Sequence, residues 1–361
     1  GRCHSGGTLG CCKRTLIVPV TGDSTVAEVL DEYGKITRAH LKTWLPQGDP
    51  GDYLYGPMAD YPQRGGRMFR PSLCIATGRM FGASIEQLVP AAVSIELLHN
   101  ALLIHDDIED ESDERRGKPT LHKQIGTPLA LNAGDSLAFL SLRPIIKASS
   151  SMGSASVVRI LEEFDQMAQQ TAEGQALDLG WRRDNQIDLR EQDYLKMVLK
   201  KTCWLTTLFP VRLGALIGSG GRANLDSLFN FAFFLGAAFQ IQDDVLNLVG
   251  NHERYGKELG GDLLEGKRTL MLVNLLELSS SEERTRIKTI LDTPREARSE
   301  ASVSWLQSSM IDKGCIDYAK ELAHGLAGAA SHEFEKVFNG LPESGDKAFL
   351  SKLPSWVIER S

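Results

Sequence analysis

Two acidic clusters carry residue types and spacings that could do chemistry. The first is Asp106-Asp107-Ile108-Glu109-Asp110, at the end of the run His99-Asn-Ala-Leu-Leu-Ile-His. On a helix, Asp106 and Asp110 are i, i+4 and Asp107 and Asp110 are i, i+3, so the carboxylates project to nearly one side. Like charges this close repel by a few tenths of a kcal/mol per pair or more. At the C-terminal end of a helix they also oppose the macrodipole. A bound cation removes both penalties, and hard oxygen ligands favour Mg²⁺. The second cluster, Gln240-Ile-Gln-Asp243-Asp244-Val-Leu-Asn247, repeats the i, i+1, i+4 spacing after another apolar stretch. Its third position is Asn, which still offers a carbonyl oxygen. One acidic run reads equally well as a solvated face. Two with matched spacing, each closing an apolar helical segment, point to metal binding. Glu111, Asp113 and Glu114 continue the first run and read better as a solvated face.

Cations stand beside these acids. Arg115-Arg116-Gly117-Lys118 follows the first cluster, and Gly65-Gly66-Arg67-Met68-Phe69-Arg70-Pro71 opens a helix. Lys200-Lys201-Thr202 lies within a helix, and Lys257 and Lys267-Arg268 follow the second cluster in a Gly-rich loop. Each cation alone reads as a surface residue. Together with the carboxylates they suit a diphosphate: Arg offers a bidentate fork, Lys a point charge, and Mg²⁺ bridges phosphate to carboxylate. His99 lies two helical turns before Asp106 on the same face and could reach a phosphate, with a core or capping role as the alternative. His105 reads as structural.

These residues need helices to position them, and helical periodicity dominates the chain. Helices are expected at about 25–46, 70–81, 85–108, 128–147, 153–181, 189–217, 224–250 and 268–279, with more toward the C-terminus. Alternating strand-type runs are scarce, and turn clusters such as Gly218-Ser219-Gly220-Gly221 separate the helices. The simplest organisation is a Gly/Cys-rich disordered tail over residues 1–20, then one all-α domain from 21 to 361. The polar segment 281–300 reads as a surface excursion.

Composition bounds function. With 361 residues and 42% hydrophobic content, a large core is affordable. A net charge of −7 argues against bulk nucleic-acid binding. Cys3, Cys11, Cys12, Cys74, Cys203 and Cys315 show no disulfide or zinc spacing, which suits free thiols in a reducing cytoplasm. The most apolar run noted, Phe229 to Phe239, is too short to span a membrane and runs into Asp243.

With these motifs in order, the sequence resembles the trans-isoprenyl diphosphate synthases, especially geranylgeranyl and polyprenyl diphosphate synthases. Leu103-Ile-His-Asp-Asp-Ile-Glu-Asp with its trailing Arg-Arg-Gly is similar to the family's first aspartate-rich motif. Phe239-Gln-Ile-Gln-Asp-Asp-Val-Leu-Asn is similar to the second, and Gly66-Arg-Met-Phe-Arg-Pro to the family's Gly-Lys-x-x-Arg-Pro. Gly174-Gln175, Lys201-Thr202 and Glu265-Gly-Lys-Arg-Thr269 match further landmarks, over about residues 25 to 280.

The resemblance implies an isoprenoid synthase helical bundle around a central cavity, and roles for its residues. Asp106, Asp107 and Asp110 would hold Mg²⁺ on an allylic diphosphate from one side, Asp243 and Asp244 from the other. Arg115, Lys201, Lys257 and Lys267 would contact that diphosphate. Arg67, Arg70, His99 and Arg116 would bind isopentenyl diphosphate. Thr202 and Gln240 would border the reacting carbons, and Asp178 would assist the metal network or be a buried structural acid. The growing chain would run beside the first-motif helix, with Ala101 and Leu102 as its floor. Neither is aromatic, which favours a C20 or longer product, with Phe139 a candidate deeper floor. Two departures stand out: Arg67 replaces the usual Lys, and Asn247 replaces an Asp, which would weaken metal affinity. Family members are commonly homodimers, and the Phe229–Phe239 helix could serve core or interface. The rivals are a class I terpene cyclase, which has no use for a second diphosphate site, and a non-catalytic partner subunit, which would be expected to lose more aspartates.

Overall fold

A computed structural model describes residues 20–250 and 260–360. The chain runs through α1 (Val26–Trp44), α2 (Gly56–Gln63), α3 (Phe69–Met80), α4 (Ile85–Glu109), α5 (Leu121–Ile125), α6 (Thr127–Lys147), α7 (Ser149–Met152), α8 (Ser154–Arg183) and α9 (Glu191–Val198). It continues through α10 (Phe209–Gly218), α11 (Phe229–Val249), α12 (Gly261–Glu265), α13 (Leu270–Leu278), α14 (Ser281–Asp292), α15 (Glu300–Asp312), α16 (Cys315–Phe338) and α17 (Gly345–Glu359). The one hairpin among the described residues pairs β1 (Glu114–Arg115) with β2 (Lys118–Pro119). This is the expected all-α bundle.

Local signals account for the helix starts. Thr25 and Glu28 form a capping box on α1, and Ser84 and Gln87 form one on α4. α4 is apolar on nearly every side, as a central helix must be. It packs chiefly against α6 and also against α3 and α1. α4 is the one described helix long and apolar enough to cross a membrane. Most of its apolar window is buried inside the bundle, so that surface is used in the core. The run 229–239 belongs to α11, which packs against α16, α17 and the segment after α9, placing it in the core.

Two expectations are corrected. The predicted helix 189–217 is α9 and α10 joined by a ten-residue π-helical segment, Leu199–Leu208. The polar stretch 281–300 is not a surface excursion. Ser280 and Glu283 cap α14, and Ile287, Ile290 and Leu291 bury an i, i+3, i+4 stripe beneath its charged face.

Candidate active site

The first acidic cluster closes α4. Its three aspartates do not share one role. Asp107 is 0% exposed. Arg115 Nε donates to its two oxygens at 3.0 and 3.1 Å, Arg115 Nη2 donates again, and the Tyr61 hydroxyl donates at 2.5 Å. Asp107 is therefore an anchor for Arg115. This departs from the expectation that all three would face a metal. Asp106 is a quarter exposed, with Lys201 Nζ at 3.5 Å and Arg115 Nη2 at 3.7 Å. Asp110 pairs with Arg182 Nη2 and Lys267 Nζ, each at 2.7 Å.

The hairpin explains the Arg-Arg-Gly sequence. Arg116 and Gly117 both take positive φ, 54° and 70°, in the two-residue turn between β1 and β2. Arg115 on β1 is turned in toward Asp107. Arg116, at the strained tip, donates to the Gly65 carbonyl. Gly66, at φ 144°, leaves room for that guanidinium; a Cβ there would stand 2.8 Å from Arg116 Nη2.

The π-helical segment brings Lys201 and Thr202 to the site. Lys201 Nζ donates to Asp178 Oδ2 at 2.7 Å. Burial works against its charge, but Asp178 and Asp106 outweigh it and hold the ammonium's pKa above its usual value. Asp178 is almost wholly buried, with Arg182 at 3.6 Å. Gly174 makes this packing possible, because a Cβ there would overlap the Lys201 backbone nitrogen. Thr202 Oγ1 donates to Gln240 Oε1 at 2.9 Å, and Gln240 Nε2 donates to Asp244 Oδ1 at 2.7 Å.

The second cluster lies in the last turns of α11. Asp244 is buried, with the Tyr194 hydroxyl donating at 2.7 Å. Burial, with Asp262 and Asp243 nearby, pushes its carboxyl up to about 8. Asp243 is a third exposed and pairs with Arg360 Nη2 at 3.0 Å. Asn247 Oδ1 accepts from the Asp262 backbone N–H at 3.1 Å, fixing the start of α12. Lys267 ties the first cluster to α12, 2.7 Å from Asp110, 2.6 Å from Glu265 and 3.6 Å from Asp262. Lys257 lies outside the described residues.

A second cationic group sits on α3 and α4. Arg70 Nη1 lies 3.2 Å from His99 Nε2, and Arg70 Nη2 donates to Thr206 Oγ1 at 2.8 Å. Arg70 Nε is buried with no partner, and burial pushes this guanidinium down to about 10. Burial, reinforced by Arg70, Arg116 and Arg115, holds the His99 imidazole well below its usual pKa. Arg67 is exposed, its guanidinium 5.9 Å from the Trp356 ring centre. Ala101 is fully buried and Leu102 half-buried. Phe139 is 75% exposed, so it cannot floor an internal tunnel of its own chain.

Several site neighbours escaped sequence reasoning. Tyr61, Tyr194, Arg182 and Arg360 carry no local motif. Asp262 was legible in principle: Asp262-Leu-Leu-Glu265-Gly-Lys267 places two acids i, i+3 before a lysine.

The donor set suits a hard cation. The outward carboxylates are oxygen donors, and Asp110 Oδ2 and Glu265 Oε2 are buried without a well-formed hydrogen bond, though both lie close to Lys267. Among the described residues no three acidic, His or Cys side chains gather tightly enough to hold a metal alone. A divalent ion here needs further oxygens, which is the habit of Mg²⁺ with one or two carboxylates and substrate phosphates.

An all-helical fold with two aspartate clusters of matched spacing and two cationic groups defines a class of diphosphate-handling enzyme. Residues 52–310 match the polyprenyl synthetase family model. The chain belongs to that family and is a trans-prenyl diphosphate synthase. It is 34% identical over 298 residues to the short chain isoprenyl diphosphate synthase of Methanocaldococcus jannaschii, covering 82% of this chain and 85% of that one. The geranylfarnesyl diphosphate synthase of Natronomonas pharaonis is 29% identical, with 95% and 100% covered. The geranylgeranyl pyrophosphate synthetase structure from Pyrococcus horikoshii superposes with a TM-score of 0.81 at 28% identity, covering 92% and 99%. The Caulobacter crescentus polyprenyl synthase, complexed with calcium and isoprenyl diphosphate, gives 0.81 at 26% identity, covering 93% and 98%.

Proposed function

We propose that this enzyme condenses isopentenyl diphosphate with an allylic diphosphate and makes geranylgeranyl diphosphate, C20. The observation that carries the reading is the presence of two separate cationic groups, Lys201 and Lys267 beside the acidic residues and Arg70 with His99 apart from them: the first suits a leaving diphosphate, the second a diphosphate that stays.

Asp106, Asp110, Asp243 and, once its neighbours rearrange, Asp244 would hold Mg²⁺ against the allylic diphosphate. When bound, the metal would neutralise charge developing on the leaving group. Lys201, Lys267 and Arg115 add fixed positive charge there, held in place by Asp178, Glu265 and Asp107. Thr202 and Gln240 border the reacting carbons, and Gln240 ties that border to Asp244. Arg70, His99, Arg116 and the more exposed Arg67 take the isopentenyl diphosphate. The apolar interior beside α4 excludes water from the carbocation. The double bond of isopentenyl diphosphate attacks that carbocation, and the departed diphosphate accepts the proton released as the new double bond forms.

Ala101 and Leu102 are the nearest candidates for the tunnel floor. Their modest size supports C20, and C25 is the second reading. We also place the homodimer contact on α6 and α8, where Leu131, Phe139, Ile146 and Val158 are exposed apolar side chains. The free thiols among the described residues, Cys74, Cys203 and Cys315, are all buried and fit a cytoplasmic enzyme.

The test is to incubate purified protein with Mg²⁺, isopentenyl diphosphate and each allylic diphosphate in turn, then size the dephosphorylated products. A C20 alcohol is expected. Hydrocarbon from a single allylic substrate, without elongation, would instead indicate a cyclase.

A further inference from the structure

The second cationic group contains an acid that the reaction does not use. Glu96 lies on α4 one turn before His99 and is 3% exposed. Its Oε1 accepts from Asn100 Nδ2 at 3.1 Å. Burial pushes its carboxyl above the usual range, while the neighbouring Arg116 and Arg70, the Asn100 amide and Arg38 favour the charged form. Arg38 reaches the same place from α1, donating to the Gly66 carbonyl at 3.4 Å. A buried carboxylate is costly unless opposite charge compensates it. It also repels any diphosphate entering beside it. A structural role alone would be met by a neutral amide at this position.

The arrangement makes sense as charge balance. Three guanidiniums gathered around one buried acid repel one another. A carboxylate bonded directly to them would steady them but occupy the forks that a diphosphate needs. Glu96 supplies negative charge while the guanidiniums keep uncharged partners that a diphosphate can replace: Arg70 meets His99 Nε2 and Thr206 Oγ1, Arg116 donates to the Gly65 carbonyl, and Arg70 Nε is buried without a partner.

We infer that Glu96 is the resident counter-ion of the isopentenyl diphosphate pocket, setting how tightly that pocket holds its diphosphate. The inference rests on the assignment of Arg70, His99 and Arg116 to that substrate. Glu96 touches no reacting atom and is a positioning residue acting through the arginines.

The experiment is calorimetry of isopentenyl diphosphate binding to the intact enzyme in EDTA, where no allylic partner or metal allows reaction. Glu96→Gln keeps the shape and the Asn100 hydrogen bond but removes the charge. It should bind isopentenyl diphosphate roughly fivefold more tightly than wild type. Its Tm should be lower without ligand, and its ligand-induced rise in Tm larger. Steady-state KM should fall for isopentenyl diphosphate and not for the allylic substrate. Glu96→Asp should restore wild-type affinity. Unchanged or weaker binding by Glu96→Gln overturns the proposal. Arg70→Met separates the two levels: if it binds isopentenyl diphosphate as wild type does, the pocket assignment itself fails.

Discussion

At the scale of single residues, neighbouring aspartates in one motif carry different loads. Asp107 is sealed against Arg115 and Tyr61, whereas Asp106 is partly open. Asp106→Asn should therefore cost about 100- to 1,000-fold in kcat, the scale of losing a key electrostatic contact, while leaving Tm nearly unchanged. Asp107→Ala strands a buried guanidinium and should lose about 3–5 kcal/mol of stability as well as activity. Urea denaturation beside steady-state kinetics distinguishes the two; equal stability loss in both variants would refute the division. The i, i+1, i+4 spacing was legible in the sequence, but this division was not. Adjacent helical residues point about 100° apart, and the partners that claim Asp107 come from α2 and the hairpin. His99 gives a pH signature. Its folded pKa lies well below the unfolded value of about 6.5, so below that pH the unfolded chain binds the extra proton. Above about pH 6.5 both states hold it neutral, so it adds no pH dependence there. As pH falls below it, stability drops by up to about 1.4 kcal/mol per unit. His99→Gln should flatten the Tm profile between about pH 6.5 and 5; an unaltered slope there would mean that His99 titrates normally.

At the scale of elements, the site depends on a widened helix. A π-helical segment carries Lys201 and Thr202 between α8 and α11, and such widenings occur often at functional sites. No residue type demands it, so a periodicity reading sees one continuous helix across 189–217. The Gly174 landmark was visible in the sequence, but its reason appears only in three dimensions: the Lys201 backbone fills the space of its missing side chain. Gly174→Ala has nowhere to put its methyl group, since backbone rather than a flexible tip opposes it. It should cost about 1–3 kcal/mol, as overpacking does. It should also lower kcat by shifting Lys201 from Asp178 and Thr202 from Gln240. An alanine variant with wild-type Tm and kcat would show that the two helices have slack. α14 teaches a related lesson. Its capping box and buried Ile287 were both in the sequence, yet Ser, Glu and Arg on its outer face masked a narrow apolar stripe.

At the scale of the whole molecule, α6 separates two environments. Its inner face packs along α4, the helix carrying Ala101, Leu102 and the first motif. Its outer face exposes Leu131, Phe139 and Ile146, with Val158 exposed on nearby α8. Sequence position alone could have sent Phe139 inward as a tunnel floor; only the helix rotation decides, and it turns Phe139 out. Separate substitutions should then separate assembly from product length. Phe139→Arg places charge in the proposed dimer contact and should yield monomer by sedimentation at low micromolar concentration, with the metal-free pocket for isopentenyl diphosphate intact. Ala101→Phe acts on the inner side. Ala101 is fully buried, so the ring can be accommodated only by moving neighbours or by entering open tunnel space. Overpacking a closed core would cost about 1–3 kcal/mol with product length unchanged. Entering the tunnel would leave Tm nearly intact and shift the main product from C20 toward C15. Product sizing and a thermal melt on the same preparation decide between them, and the second outcome is expected, because an elongating enzyme needs open space beside α4 where the first aspartate motif begins.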